Sequence, residues 1–248
     1  MSDVLSVIAG LDVHLQAVLD DLAENSKPVE IILNVFLGSP LVKGLIPVLL
    51  IWWVWMRPHP DQDWHRRGLV VTFFVAGLAS LCGRILAKML PFRMRPELVD
   101  AMNPEYLPTM SREGLETLGS SFPSDHAMFY FSIAACLFRI SRPIGWWAYF
   151  HALFAVCLPR IILDRHYPGD ILAGAILGII FTRLTFGPGM ALVERLPKKW
   201  QINYLDKTRP EMLYSAMFFA TFCFATMFQP LLDLGKSLRH LISVLIRM

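Results

Sequence analysis

Runs of mostly apolar residues, each close to the length of a membrane crossing, recur along the chain, and no other feature limits its fold more. They cover residues 40–56, 69–87, 127–141, 145–163, 170–187 and 211–229. A helical crossing uses roughly 20 such residues. Each run is bounded by Pro, Gly or charge clusters, as in MRPHPDQDWHRR after the first and PKKWQINYLDKTRP before the last. Open sheet edges have no hydrogen-bond partners in hydrocarbon, so the expected fold is all-α: a polytopic membrane helix bundle of about six transmembrane helices. The composition agrees. With 55% hydrophobic and 17% charged residues, the 248-residue chain is too apolar for an ordinary soluble domain or a disordered one. A net charge of +3, with no basic block interleaved with aromatics, excludes a nucleic-acid partner. Cys82, Cys136, Cys157 and Cys223 stand singly inside apolar runs and read as small buried hydrophobes.

Three regions are expected: residues 1–30, an N-terminal amphipathic interfacial helix; 31–190, the membrane core; and 191–248, a loop, a further transmembrane helix and an amphipathic tail. In the first, Val4, Ile8, Leu11, Leu15, Val18 and Leu22 share a helical face, with Asp12, Asp20 and Asp21 elsewhere. This segment lacks a basic n-region and a compact apolar core, so it does not read as a cleaved signal. In the tail, Leu231, Leu234, Leu238, Leu241 and Leu245 form a stripe that fits either an interfacial helix or a partner-helix seam. Oligomeric state has no signature. Loops 57–68, 138–144 and 188–210, with their flanking basics, carry eleven of the 23 Lys/Arg residues, and all seven Trp lie near the same face. The other twelve basics sit mostly in long segments, terminal helices or polar motifs, so these loops are expected on the cytoplasmic side.

Three polar clusters fall on the opposite side, each where a helix begins or ends. They are Lys88-Met-Leu-Pro-Phe-Arg-Met-Arg95-Pro96, Ser120-Ser121-Phe122-Pro123-Ser124-Asp125-His126, and Arg160-Ile-Ile-Leu-Asp-Arg-His166-Tyr-Pro-Gly-Asp170. Lys88, Arg95 and Arg160 offer three cations, and a helix opening at Ser124 and Asp125 offers backbone amides to an anion. The ligand is therefore phosphate-like. Asp170, about one turn from His166, is placed to fix the imidazole tautomer and leave the second nitrogen as nucleophile or base. With His126 in the first turn beside the anion, two histidines suit covalent phosphoryl transfer, one attacking and one protonating the leaving oxygen. Each fragment also has a structural reading: Ser124 as a plain N-cap, Lys88 and Arg95 as snorkelling anchors, His166 and Asp170 as a simple hydrogen bond. Their convergence on one face of a membrane bundle, where ionisable groups are costly, favours the functional reading.

The spacing K-x6-R-P, then P-S-x-H, then R-x5-H-x3-D over residues 88–170 resembles the three-part signature of the type 2 phosphatidic acid phosphatase superfamily, which also includes soluble haloperoxidases and acid phosphatases. The string S-F-P-S-D-H is similar to the version in bacterial undecaprenyl pyrophosphate phosphatases. The resemblance implies a metal-independent, cofactor-free lipid phosphatase in a bacterial cytoplasmic membrane, with its site on the outer side. His166 would attack phosphorus, Asp170 would orient it, and His126 would protonate the leaving group. Lys88, Arg95, Arg160, Ser124 and the Asp125 region would hold the phosphoryl oxygens. The substrate would be a lipid phosphate or diphosphate; alternatives are transfer to another lipid acceptor, and a non-catalytic lipid-binding or transport role.

Two departures stand out. Asp125 replaces the family's usual Gly, and its carboxylate is expected to turn from the anion site toward a cation such as Arg93 or Arg165. Pro159 replaces the usual Ser before Arg160. Arg84, one turn from Lys88, is left between a second phosphate contact and an ion pair with an acid such as Asp164. His151 is left between a catalytic role and a neutral, hydrogen-bonded interior one, and the long loop 97–122 between a lid and a mobile segment.

Overall fold

The computed structural model describes residues 10, 12–19, 27–39, 41–101 and 119–227. All regular structure among them is helical. Helix α1 (Lys27–Gly38) precedes a π-helical turn, Leu41–Leu45, that runs into α2 (Ile46–Met56). Next come α3 (Gln62–Met89) and the short α4 (Pro96–Ala101). Helices α5 (Asp125–Ile140), α6 (Arg142–His151), α7 (Leu158–Ile162) and α8 (Pro168–Glu194) build the core. Helices α9 (Ile202–Thr208) and α10 (Pro210–Ala225) complete the described chain.

Each of the six apolar runs is helical over all but its last one or two described residues at most, so the chain is an all-α membrane bundle. Taken singly, Gln62–Met89 and Pro168–Glu194 are long and apolar enough to cross a membrane, and the pair 31–38 and 42–56, meeting at 62°, passes jointly. The other runs are shorter or broken because proline punctuates them. Pro143 and Pro159 fall in the first turns of α6 and α7. Between these helices Ala152–Cys157 is π-helical, and the amide of Leu158 donates five residues back to Leu153. Pro159 has no amide to continue the ladder, and a π-turn absorbs the resulting mismatch. The Pro159 departure thus sets the backbone that carries Arg160.

Helix α5 is the central post, buried along most of its length and packed against α3, α6 and α8. It lies very close to α8, where Gly174 and Gly178 form a small-x-x-x-small stripe of the kind that lets membrane helices approach. A Cβ on Gly174 would be driven into the carbonyl oxygen of Ser124, and one on Gly178 into that of Met128. Overpacking of this kind costs about 1–3 kcal/mol. Gly174→Ala is therefore expected to lower Tm by roughly 5 °C in a detergent melt. Gly187→Ala, where the added carbon meets nothing within 4 Å, is expected to leave Tm unchanged.

The chain's ends fall partly outside the described residues, as do residues 102–118 of the long loop, the last two positions of the sixth run and the whole leucine stripe of the tail. Within helical residues 12–19, the apolar side chains Val13, Leu15 and Val18 are exposed while Asp12 and Gln16 are buried. An exposed apolar face suits an interfacial helix, and here the polar face docks on the protein. At the basic end of the bundle, Arg66 pairs with Asp206 at 2.9 Å and Arg67 with Glu194 at 2.9 Å, which brings loop 57–68 and segment 188–210 together. Of the four cysteines, Cys136, Cys157 and Cys223 are buried, and none is in a disulfide.

Candidate active site

The three motif loops are knitted together by backbone bonds at the far end of α5. The amide of Ser121 donates to the Arg93 carbonyl at 2.8 Å, and that of Ser124 to the Asp170 carbonyl at 3.2 Å. Beside them lies a cavity of about 350 Å³ whose wall includes Arg84, Lys88, Arg95, Ser120, Asp125 and His166. Arg160, Ser124 and Asp170 are buried around it. The expected residues are thus gathered, though not all reach the cavity surface.

His166 is almost fully buried, and its Nδ1 lies 2.9 Å from the backbone carbonyl of Ser121. A carbonyl only accepts, so Nδ1 carries the proton and Nε2 keeps its lone pair. Asp170 does not touch the ring in the way the sequence suggested: its Oδ2 is 3.9 Å from Nδ1. The Ser121 hydroxyl lies between them, 3.4 Å from Nδ1 and donating a short hydrogen bond to Asp170 Oδ2. That carboxylate also accepts from the Tyr167 amide at 2.9 Å, capping α8, and from Arg93 Nη1 at 2.6 Å. Its connection to the imidazole runs through the Ser121 hydroxyl.

His126 is positioned differently. Asp125 Oδ1 lies 2.8 Å from His126 Nδ1, and Asp125 Oδ2 lies 3.3 Å from Arg84 Nε. The carboxylate departure therefore turns to Arg84, not to Arg93 or Arg165 as expected. Arg93 is taken by Asp12 and Asp170, and Arg165 pairs with Glu97 at 2.5 Å. The reason is register: Arg84 lies on the turn of α3 that packs on the start of α5, where Gly83 abuts Asp125. The same pairing answers the question over Arg84, whose acid is Asp125 and not Asp164. Asp164 Oδ1 instead accepts from Gln16 at 2.7 Å.

The cations differ in how they are satisfied. Arg160 is buried, and Nη1 donates to the Val156 carbonyl at 2.7 Å. Arg95 Nε is buried without a hydrogen-bond partner. Neither has a carboxylate within ion-pair distance among the described residues, and they lie within electrostatic reach of one another. Lys88 is exposed at the cavity rim. Ser124 Oγ accepts from the Ala127 amide at 3.3 Å, so its side chain is the N-cap of α5. His151 Nε2 bonds the Val42 carbonyl at 2.9 Å, which is the interior role.

Sequence reasoning named Asp12 and Arg93 but not their pairing, and it missed Gln16. Asp12 accepts from Arg93 Nη2 at 2.6 Å and from the Gly169 amide at 2.7 Å. Gln16 donates to the Ile161 carbonyl at 2.6 Å. Arg93 also stacks 4.2 Å over the Tyr167 ring. Only the unusual acids on an amphipathic helix hinted at this docking.

No solved structure matches the chain. It is 29% identical over 130 residues to the bacitracin transport permease protein BcrC of Bacillus licheniformis, covering 51% of this chain and 58% of that protein. It is 44% identical over 66 residues to the lipid A 4′-phosphatase of Bacteroides thetaiotaomicron, covering 24% of this chain and 27% of that one. The chain thus matches less than two thirds of either relative's length. The model of the PAP2 superfamily matches residues 32–187, more than half of the chain and all three motif loops, and the protein belongs to that superfamily.

Proposed function

We propose that this protein is a membrane phosphatase that hydrolyses a lipid phosphate or diphosphate through a phosphohistidine intermediate, without a metal or cofactor. The observation that carries this reading is the pair Arg95 and Arg160. Two guanidinium groups without carboxylate partners among the described residues, beside a buried, tautomer-fixed histidine, are suited to an anion that completes them. Phosphoryl oxygens bind such groups bidentately. In the first step His166 Nε2 forms a bond to phosphorus while the bond to the lipid oxygen breaks, and His126 Nε2–H protonates that oxygen. In the second, His126 takes a proton from water, which attacks phosphorus and releases inorganic phosphate and free His166. Arg95, Arg160, Lys88 and the first-turn amides of α5 stabilise the charge on the transferred group.

One relative's name is that of a phosphatase and the other's that of a permease. A carrier needs the cations but neither histidine, so His126 and His166 together favour hydrolysis over transport. Isoprenoid diphosphates, phosphatidic acid, phosphatidylglycerol phosphate and lipid A phosphates are the substrates to compare. Purified protein is expected to release phosphate from at least one of them in EDTA, to be inhibited by vanadate, and to trap acid-labile phosphate on histidine. Loss of activity in EDTA would overturn the metal-free mechanism. A labelled phospholipid appearing in place of phosphate would identify a transferase.

The basic loops at the other end of the bundle support a site on the outer side of a bacterial cytoplasmic membrane. Of two introduced cysteines, Val99→Cys is expected to react with an impermeant reagent added outside, and Asp61→Cys to be protected; the reverse pattern would invert the topology.

Asp125 serves the acid–base histidine in this scheme. By accepting from Nδ1 it leaves Nε2 to face the leaving group. Asp125→Ala is expected to lower kcat roughly 10- to 100-fold with little change in KM. If the carboxylate only crowded the anion site, the variant would be faster than wild type.

A further inference from the structure

On the other side of the bundle, a groove of about 1,530 Å³ runs between α5, α6 and α8. Its mouth is at the C-terminal end of α5, about 24 Å along that helix from the phosphatase site. Arg139, Arg142 and Arg183 line the mouth. None of the three has an ion pair or hydrogen bond to its side chain among the described residues, and Arg139 sits 5.1 Å over the Phe186 ring. Trp146 and Trp147, exposed at the start of α6, stand beside them. Inward, the lining becomes mostly apolar, with Tyr149 and Thr182 beside Phe131 and Phe150, and ends at Leu153 and Phe154.

The direction of the groove follows from the packing. Phe138 meets Trp146 at 5.5 Å and Phe131 meets Tyr149 at 5.8 Å, so α6 runs antiparallel to α5 and Arg142 lies at the Arg139 end. Helix α8 runs parallel to α5: Gly178 lies against Met128, and Thr182 donates to the Ser132 carbonyl. That places Arg183 level with Ile133, about 9 Å deeper than Arg139, and it approaches the mouth by extending its long side chain. From Arg142 to Phe154 the trough is about 18 Å long, close to the roughly 15 Å of one leaflet's hydrocarbon.

We propose that this groove is a binding site for an anionic diacyl phospholipid of the leaflet opposite the phosphatase site. Its phosphate is held by Arg139, Arg142 and Arg183, and its acyl chains lie along α5 and α6. Charge complementarity selects this occupant. A neutral lipid or a second copy of this chain would fill the apolar trough but leave three neighbouring cations uncompensated. Basic pockets between membrane helices hold anionic headgroups in this manner. Positive-inside anchoring alone would scatter the arginines and would need no trough beneath them.

The test is electron paramagnetic resonance of the full chain in phosphatidylcholine vesicles carrying a trace of spin-labelled phosphatidylglycerol or spin-labelled phosphatidylcholine. Wild type is expected to immobilise phosphatidylglycerol at least threefold more strongly. The triple substitution Arg139→Gln, Arg142→Gln, Arg183→Gln is expected to abolish the preference, and the corresponding triple Lys substitution to keep it. If the Gln triple variant does not fold, Arg142→Gln alone, at the exposed start of α6, is expected to halve the preference. Equal immobilisation of both lipids by wild type, or a preference that survives the Gln substitutions, would overturn the proposal. The preference is expected to persist in Lys88→Gln/Arg95→Gln; its loss there would mean that the label occupied the phosphatase cavity. Phe150→Cys is expected to remain a monomer under oxidation, and an oxidised dimer would make a second copy the occupant.

Discussion

His166→Asn is expected to release phosphate from a lipid substrate at least about 1,000-fold more slowly than wild type, equivalent to about 4 kcal/mol of barrier. Asn is the informative replacement because its amide can still donate to the Ser121 carbonyl that holds Nδ1 in the wild type. The loop geometry is therefore kept while the nucleophilic Nε2 is removed. His126→Gln separates the second role. It is expected to slow hydrolysis of an alkyl phosphate strongly but to spare p-nitrophenyl phosphate, whose leaving group needs no proton. His166→Asn is expected to lose both substrates alike. A His166→Asn enzyme as active as wild type would end the phosphohistidine scheme.

The second large effect is expected at Arg93, a residue outside the recognised signature. It bridges Asp170, whose side chain is fully buried, and Asp12, at 6% exposure. Removing one partner of a buried ionic network leaves uncompensated charge and costs about 3–5 kcal/mol. Arg93→Gln is expected to lower Tm by roughly 10 °C and to lower activity with it, because Asp170 and the Ser121 loop lose their tether. Asp12→Asn is expected to be milder, since the Gly169 amide can still donate to the remaining carbonyl oxygen. In a double-mutant cycle the two changes should be clearly less than additive; strict additivity would show that the bridge does not couple the N-terminal helix to the site.

Helical class and motif clustering were legible because both are written in local pattern. Apolar run length identifies the bundle, and three polar clusters at run ends can meet on one face. Side-chain pairing was harder. Asp125 was expected to find Arg93 or Arg165, yet Arg84 reaches it because the α3–α5 contact sets the register, and no local spacing encodes that contact. The group on His166 Nδ1 is a backbone carbonyl, which every residue possesses, so no residue type could announce it. Asp170, beside the histidine in sequence, is diverted into capping α8 and holding Ser121 and Arg93. The π-turn before Arg160 was also hidden. Pro159 was visible as a departure, but its backbone consequence depends on the ladder of hydrogen bonds that surrounds it.

The tie between Asp12 and Gly169 spans 157 residues, and that separation has a consequence in time. At roughly 5–20 residues per second, the carboxylate waits about 8–30 seconds during synthesis before its Gly169 donor exists. Arg93, 81 residues further on, is made earlier and can pair with the acid, but the second half of the site is missing until α8 begins. Chain growth therefore orders the events of maturation: α3 and α5 are made before the helix at residues 12–19 can be fully locked. A ribosome-stalled chain ending shortly before Gly169 would display that waiting state.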